Sequence, residues 1–234
     1  MSACSKDEDE EPASDPTPQQ QESADTYPTP SDADGTLVAV KSSSITDTPI
    51  GPITTIIGTA VAVFSDDGFT SGTWISAGNV SCNAQDLTLN PNNSYVFTDI
   101  SQTNPLGLDF NSDVIWEVTG GNGIASLNIN AEPLGFPTVG EITSADIIEV
   151  ANGYTMTCAS VSGADSVIFV IGGTTKTLAG NATSCTFTSA ELQSVTTGAS
   201  IAQVAAYVMA PTDFGDTRIY TVNEAVQSKT VTVQ

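Results

Sequence analysis

In Tyr154-Thr155-Met156-Thr157-Cys158 every second residue is apolar and the residues between are threonines. Ala202-Gln203-Val204-Ala205-Ala206-Tyr207-Val208 alternates in the same way, less strictly. A period of two turns one face of a strand to a core and the other to water, the habit of antiparallel sheets. Short β-branched and aromatic runs predict further strands at 36–41, 53–64, 73–81, 87–89, 95–98, 114–118 and 124–129, then at 140–142, 153–160, 166–171, 175–178, 184–188, 201–210, 217–224 and 226–233. Gly51-Pro52, Asp66-Asp67-Gly68, Asn90-Pro91-Asn92-Asn93 and Gly120-Gly121-Asn122-Gly123 supply turn chemistry between several of them. The run 53–64 is apolar enough for one buried strand or for two meeting at Gly58. No stretch keeps a helical period over ten residues or more. Ser189-Ala190-Glu191-Leu192 predicts a single helical turn with Ser189 as its cap.

Texture divides the chain. Residues 5–35 carry five prolines, a Gln19-Gln20-Gln21 tract and many acids, with almost no large apolar side chain. Such a segment buries too little surface to offset its ordering entropy, so it reads as a disordered, self-repelling stalk. Glu132-Pro133-Leu134-Gly135-Phe136-Pro137 interrupts the β pattern and predicts a linker at 132–139. The expected fold is all-β: two tandem antiparallel β-sandwiches, at 36–131 and 140–234.

Charge and composition narrow the function. The chain has 27 acidic residues against 5 basic ones, a net charge of −22. Ten of the acids precede Thr36 with only Lys6 beside them, and the body is acidic as well. Nucleic acid is excluded as a partner, because phosphate binding needs clustered Lys and Arg. An anionic membrane surface would repel the body, so attachment to a membrane requires a lipid. Histidine is absent, which excludes Ser-His-Asp and Cys-His catalysis and His-ligated zinc. The chain does not read as an enzyme, since carboxylate pairs are unremarkable among so many acids and small sandwiches leave little room for a deep cleft.

The opening run Ser2-Ala3-Cys4-Ser5-Lys6-Asp7-Glu8-Asp9-Glu10 resembles the lipobox and acidic export signal of Bacteroidota surface lipoproteins. That resemblance implies that residues 1–4 are the remnant of a signal peptide, that Cys4 is acylated, and that the body faces the extracellular side of the outer membrane. The pattern departs in lacking a basic and an apolar segment ahead of Cys4, and Met1 stands where Leu is usual. An in-frame segment of that kind upstream is the expectation. Residues 140–234 resemble an immunoglobulin-like or fibronectin-III-like module in strand number and spacing, without a Cys…Trp…Cys signature. Together these imply a non-catalytic binding, adhesion or accessory module with a glycan or surface-protein ligand. The alternative is a structural subunit similar to fimbrillins, assembling by strand donation; cleavage of its stalk would have to fall at Lys6, the only base before Lys41, which counts against it.

Trp74 follows a glycine-rich loop and Phe214 lies in the 211–216 turn, so these two rings are the candidates to stack on a ligand, whereas Trp116 shares a face with Val114 and Val118 and reads as core. Asp32-Ala33-Asp34-Gly35, Asp66-Asp67-Gly68 and Asp213-Phe214-Gly215-Asp216 could each offer oxygens to calcium, with Asp66 and Asp67 the best placed, although Asp-Gly is also ordinary turn chemistry. No other cofactor is implied. Cys158 and Cys185 both read as inward-facing; a disulfide and a pair of buried thiols are both open readings at this point. Cys82 shares a face with Val80 and reads as core, with no base beside it to activate it.

Overall fold

The computed structural model describes residues 30–234. The strands are β1 (Gly35–Thr48), β2 (Gly51–Phe64), β3 (Val80–Cys82), β4 (Gln85–Asp86), β5 (Thr88–Leu89), β6 (Tyr95–Val96), β7 (Ile115–Val118), β8 (Leu127–Asn130), β9 (Thr138–Val139), β10 (Ile147–Ile148), β11 (Tyr154–Thr157), β12 (Val161–Ser162), β13 (Ser166–Ile171), β14 (Thr174–Ala179), β15 (Ser184–Phe187), β16 (Gly198–Phe214) and β17 (Thr217–Val233), with one helical turn, α1 (Ser189–Leu192). The fold is all-β, as its alternation implies.

One sheet of nine strands runs through the molecule in the order β14-β13-β16-β17-β1-β2-β6-β5, with β10 added beside β17. Four strands, β4-β3-β7-β8, form a second sheet, and β11-β15 and β9-β12 form two small ones. Odd residues of β17 lie opposite even residues of β16, so Ile219, Val231 and Val233 share a face with Ala202, Val204 and Ala206. Two of three cores lie on that face; the third and smallest, with Val38, Tyr207 and Val222, lies on the other. The first packs Leu37, Ala62 and Phe64 against Val80, Trp116 and Leu127 of the four-stranded sheet. The second packs Phe169, Val204 and Val231 against Met156, Cys185 and Phe187. Each fully buried large side chain contributes about 2 kcal/mol, so the two layers hold each other.

Strand pairing crosses the expected division. β17 pairs in parallel with β1, from Gly35 opposite Ile219 to Ser44 opposite Ser228, and Ile219 is fully buried in the first core. The second block therefore supplies a wall of the first. The runs at 217–224 and 226–233 are one strand, because Ala225 sits in register with Ala206 and Lys41 and nothing interrupts the ladder. Residues 132–139 are not a loose linker. They make a 3-10 turn and β9, and the buried Asn223 of β17 donates to the carbonyls of Ala131 (3.0 Å) and Gly135 (2.8 Å). The stalk boundary also moves, since Ala33 is fully buried and the Asp34 amide donates to the Arg218 carbonyl at 2.8 Å.

The strand expected at 36–41 runs on through Ser42-Ser43-Ser44, and β1 and β2 pair without interruption from Gly35–Phe64 to Thr48–Gly51, past the expected turn at Gly51-Pro52. The turn Pro49-Ile50 closes this hairpin. Pro52 is tolerated because its position falls on the open edge. Gly58, on the same side of the strand, turns its N–H to Leu106 O (2.9 Å) and its carbonyl to Leu108 N (2.9 Å), away from β1. At the helical turn the cap is Thr188, not Ser189: the Thr188 hydroxyl accepts from Glu191 N (3.3 Å) and Glu191 Oε2 accepts from Thr188 N (2.7 Å).

Candidate functional site

Cys4 lies outside the described residues, as does most of the expected stalk. Trp74 is half-buried; its backbone carbonyl accepts from Asn93 Nδ2 (2.8 Å), and the adjoining segment is pinned by the Tyr95 hydroxyl, which accepts from Ala77 N (2.9 Å) and donates to Gly78 O (2.7 Å). Phe214 packs against the first core rather than standing out as a platform. It is the residue before the β16–β17 turn, where Gly215 adopts φ +63°.

At the three clusters expected to offer oxygens to calcium, carboxylate oxygens of Asp32, Asp67 and Asp213 accept from the protein itself. Asp67 accepts from the Ser65 hydroxyl (2.5 Å) and from Ser71 N (2.9 Å), and these bonds, that of Ser65 foremost, hold its carboxyl down to about 2. Its oxygens close its own loop while Asp66 stands in water. The first and third clusters, about 180 residues apart in sequence, meet at one guanidinium. Arg218 binds Asp32 through Nη1 (2.7 Å) and Asp213 through Nε (2.8 Å) and Nη2 (3.3 Å), while the Tyr220 hydroxyl donates to Asp32 (3.1 Å). The Arg218 hydrogen bonds lower the pKa of both carboxyls, and the carboxylates raise that of the arginine. These pairs are exposed and screened by water, and they fasten the entering chain to the β16–β17 turn. Among the described residues no group of three or more Asp, Glu, Cys or His could hold a metal ion.

No disulfide joins Cys158 to Cys185; both are thiols. Cys185 stands opposite Met156, so Cys158 falls two residues along on the diagonal, a spacing too wide for a bond. Burial raises the Cys158 thiol, which lies 3.7 Å from Thr183 O. Cys82 is fully buried and pushed up to about 12 by desolvation, which makes it inert. Trp116 is fully buried in the first core.

Two features escaped the sequence reading. Beyond Ser44 the β1–β2 hairpin leaves the partner strand β17 and continues as an arm paired only with itself. The arm carries Ile45, Ile50, Ile53 and Ile56, exposed by 36, 92, 49 and 52 % respectively. Ile45 and Ile56 lie on the face that carries Leu37 and Ala39, Ile53 lies on the opposite face and Ile50 is at the tip. Lys41 and Asp47 are the only charged residues in 35–64, so this arm is nearly neutral in a chain of net charge −22. The absence of charge among repeated isoleucines was the available signal.

The second feature is Lys41, at the foot of the arm. Its ammonium lies 4.3 Å from the centre of the Phe136 ring, which packs on Phe110 at 5.5 Å. Burial lowers its pKa, offset in part by the field of Asp109. Hollows of about 280 and 380 Å³ open on either side of it. Lys41 continues the core-facing row of Leu37 and Ala39, so a base at that parity in a base-poor chain could have been noticed.

No helix of the described residues is long and apolar enough to cross a membrane. Comparison of the chain with protein-family models, with curated proteins and with solved structures gives no match.

Proposed function

We propose that the chain is a lipid-anchored protein of the outer membrane, held at Cys4 and facing outwards, that acts as a non-catalytic binding or adhesion module whose contact element is the β1–β2 arm. The observation that carries this reading is the set of four exposed isoleucines on a hairpin that parts from its partner strand after Ser44. Burying exposed apolar area against a partner is favourable by about 25 cal/mol per Å², and keeping it in water serves no folding purpose. Aliphatic side chains without an exposed aromatic ring suit a protein surface better than a sugar face, so the ligand is a protein. The anchor rests on the Ser2-Ala3-Cys4 run and the acids behind it, and the immunoglobulin-like character of the second block rests on its strand spacing.

The test uses a variant with Ile50→Thr, Ile53→Thr and Ile56→Thr, applied with the wild type to an array of matrix proteins, solubilised envelope proteins and glycans. Saturable binding to a protein component that the triple variant loses is the expected result. Binding that survives in the triple variant, or that is lost in Trp74→Ala instead, contradicts it.

A fimbrillin-like reading has one observation in its favour. Thr54 and Ile56 share the orientation of Gly58, so their amides and carbonyls face the outer edge of β2 and could receive an added strand. Static light scattering decides between the two: a concentration-dependent polymer series supports strand addition, and a monomer opposes it.

A further inference from the structure

We propose that the groove at Lys41 is a binding site for small organic carboxylates with an apolar body, the ammonium taking the carboxylate and the rim taking the rest. This goes beyond the arm's role and does not depend on it.

Four basic residues lie among the described residues, and three of them are spoken for. Lys176 pairs with Glu191 at 3.0 Å, Arg218 with Asp32 and Asp213, and Lys229 with Asp146 at 2.5 Å. Lys41 has no carboxylate within ion-pairing distance among the described residues, although acids outnumber bases in the chain by 27 to 5. It is half-buried, and Phe136 offers it only the weaker attraction of a ring face. Withdrawing a cation from water without a counter-ion is unfavourable, and an arriving anion removes that penalty.

The surroundings specify the rest of the ligand. Ile56 and Leu106, exposed by 52 and 56 %, rim the hollow of about 280 Å³ beside the ammonium, a volume suited to a small molecule. Its wall is held rigidly. Gly58 and Gly107 approach so closely that a Cβ on Gly58 would stand 1.9 Å from Leu108 O, and the 2.9 Å bonds between Gly58 and residues 106 and 108 fix the loop to β2. A rigid, largely apolar rim around one half-buried cation favours an amphiphile over a bare inorganic anion. Asp109, exposed and acting on Lys41 only through its field, competes with that anion.

Amide NMR spectra of the whole chain, titrated with N-acetyl-leucine, with N-acetyl-leucinamide and with octanoate, test this. Saturable shifts in 106–111 are expected with at least one carboxylate, at dissociation constants on the order of millimolar. Affinity should fall about tenfold for the amide and in Lys41→Met, persist in Lys41→Arg, and rise in Asp109→Asn. Preference for N-acetyl-leucine would identify a peptide C terminus as the source, and preference for octanoate a fatty acid. Equal binding of acid and amide, undiminished binding in a folded Lys41→Met, weaker binding in Asp109→Asn, or no saturable shift with either carboxylate overturns the proposal. Because Lys41→Met leaves the isoleucines in place, it should not disturb binding through the arm.

Discussion

Glu191 serves two masters at once: the backbone N–H of Thr188, which is the larger influence, and Lys176 at 3.0 Å. Together they hold its carboxyl down to about 2. A folded-state pKa below the unfolded one contributes stability above about pH 4.5 that is lost as the pH falls towards 2. Urea midpoints of wild type and Glu191→Gln should therefore differ at pH 7, draw together below about pH 4.5 and converge only near pH 2; a gap that widens on acidification contradicts the assignment. Cys82 provides a second residue-scale check. With its thiol pushed up to about 12 and no exposed surface, it should resist iodoacetamide in the native protein and react on unfolding, as peptide mapping would report. Cys82 and Trp116 were legible as core from strand alternation alone. The inward parity of Lys41 was legible too, but its setting was not, because that depends on Phe136 and Asp109, which lie far along the chain. The joining of two acidic clusters was hidden for a related reason: Arg218, which binds both, adjoins only one in sequence.

At the scale of elements, strand positions followed the apolar runs while strand ends did not. β1 continues through three serines because β2 and β17 offer ladder partners on both sides up to Ser44, a tertiary effect that overrides local propensity. The run at 73–81 yields only β3, since its first half is spent fixing the loop beneath Tyr95. Gly58→Ala forces a Cβ into the Leu108 carbonyl, so the 106–111 wall must shift; a stability loss of at least about 2 kcal/mol in chemical denaturation is expected, and a neutral result would show that the two segments are not locked. The arm should behave oppositely. Its isoleucines are exposed, so each Ile→Thr change should alter stability by less than about 0.5 kcal/mol while association falls.

In the whole molecule the first and last strands lie side by side, and the two larger cores share one sheet. The sequence showed two sets of strands on either side of 132–139, and the two larger cores follow them. Their dependence on β17 was invisible, because parallel pairing between strands about 180 residues apart leaves no local trace. A chain ending at Ala131 lacks the strand that pairs with β1 and contributes Ile219, so it should give a collapsed amide spectrum; a dispersed one would show that the first block folds alone. Stability is thus distributed across both halves, and the arm at 45–57 is the part of the large sheet that the rest does not need. The most direct measurement is hydroxyl-radical footprinting of the protein on intact cells that display it, set against the purified chain. If the arm is the contact element, Ile50, Ile53 and Ile56 are oxidised readily in the purified chain and protected on the cell, while Leu89 and Ile147, also exposed, are oxidised in both. Equal oxidation of the arm in the two states contradicts a binding role for it.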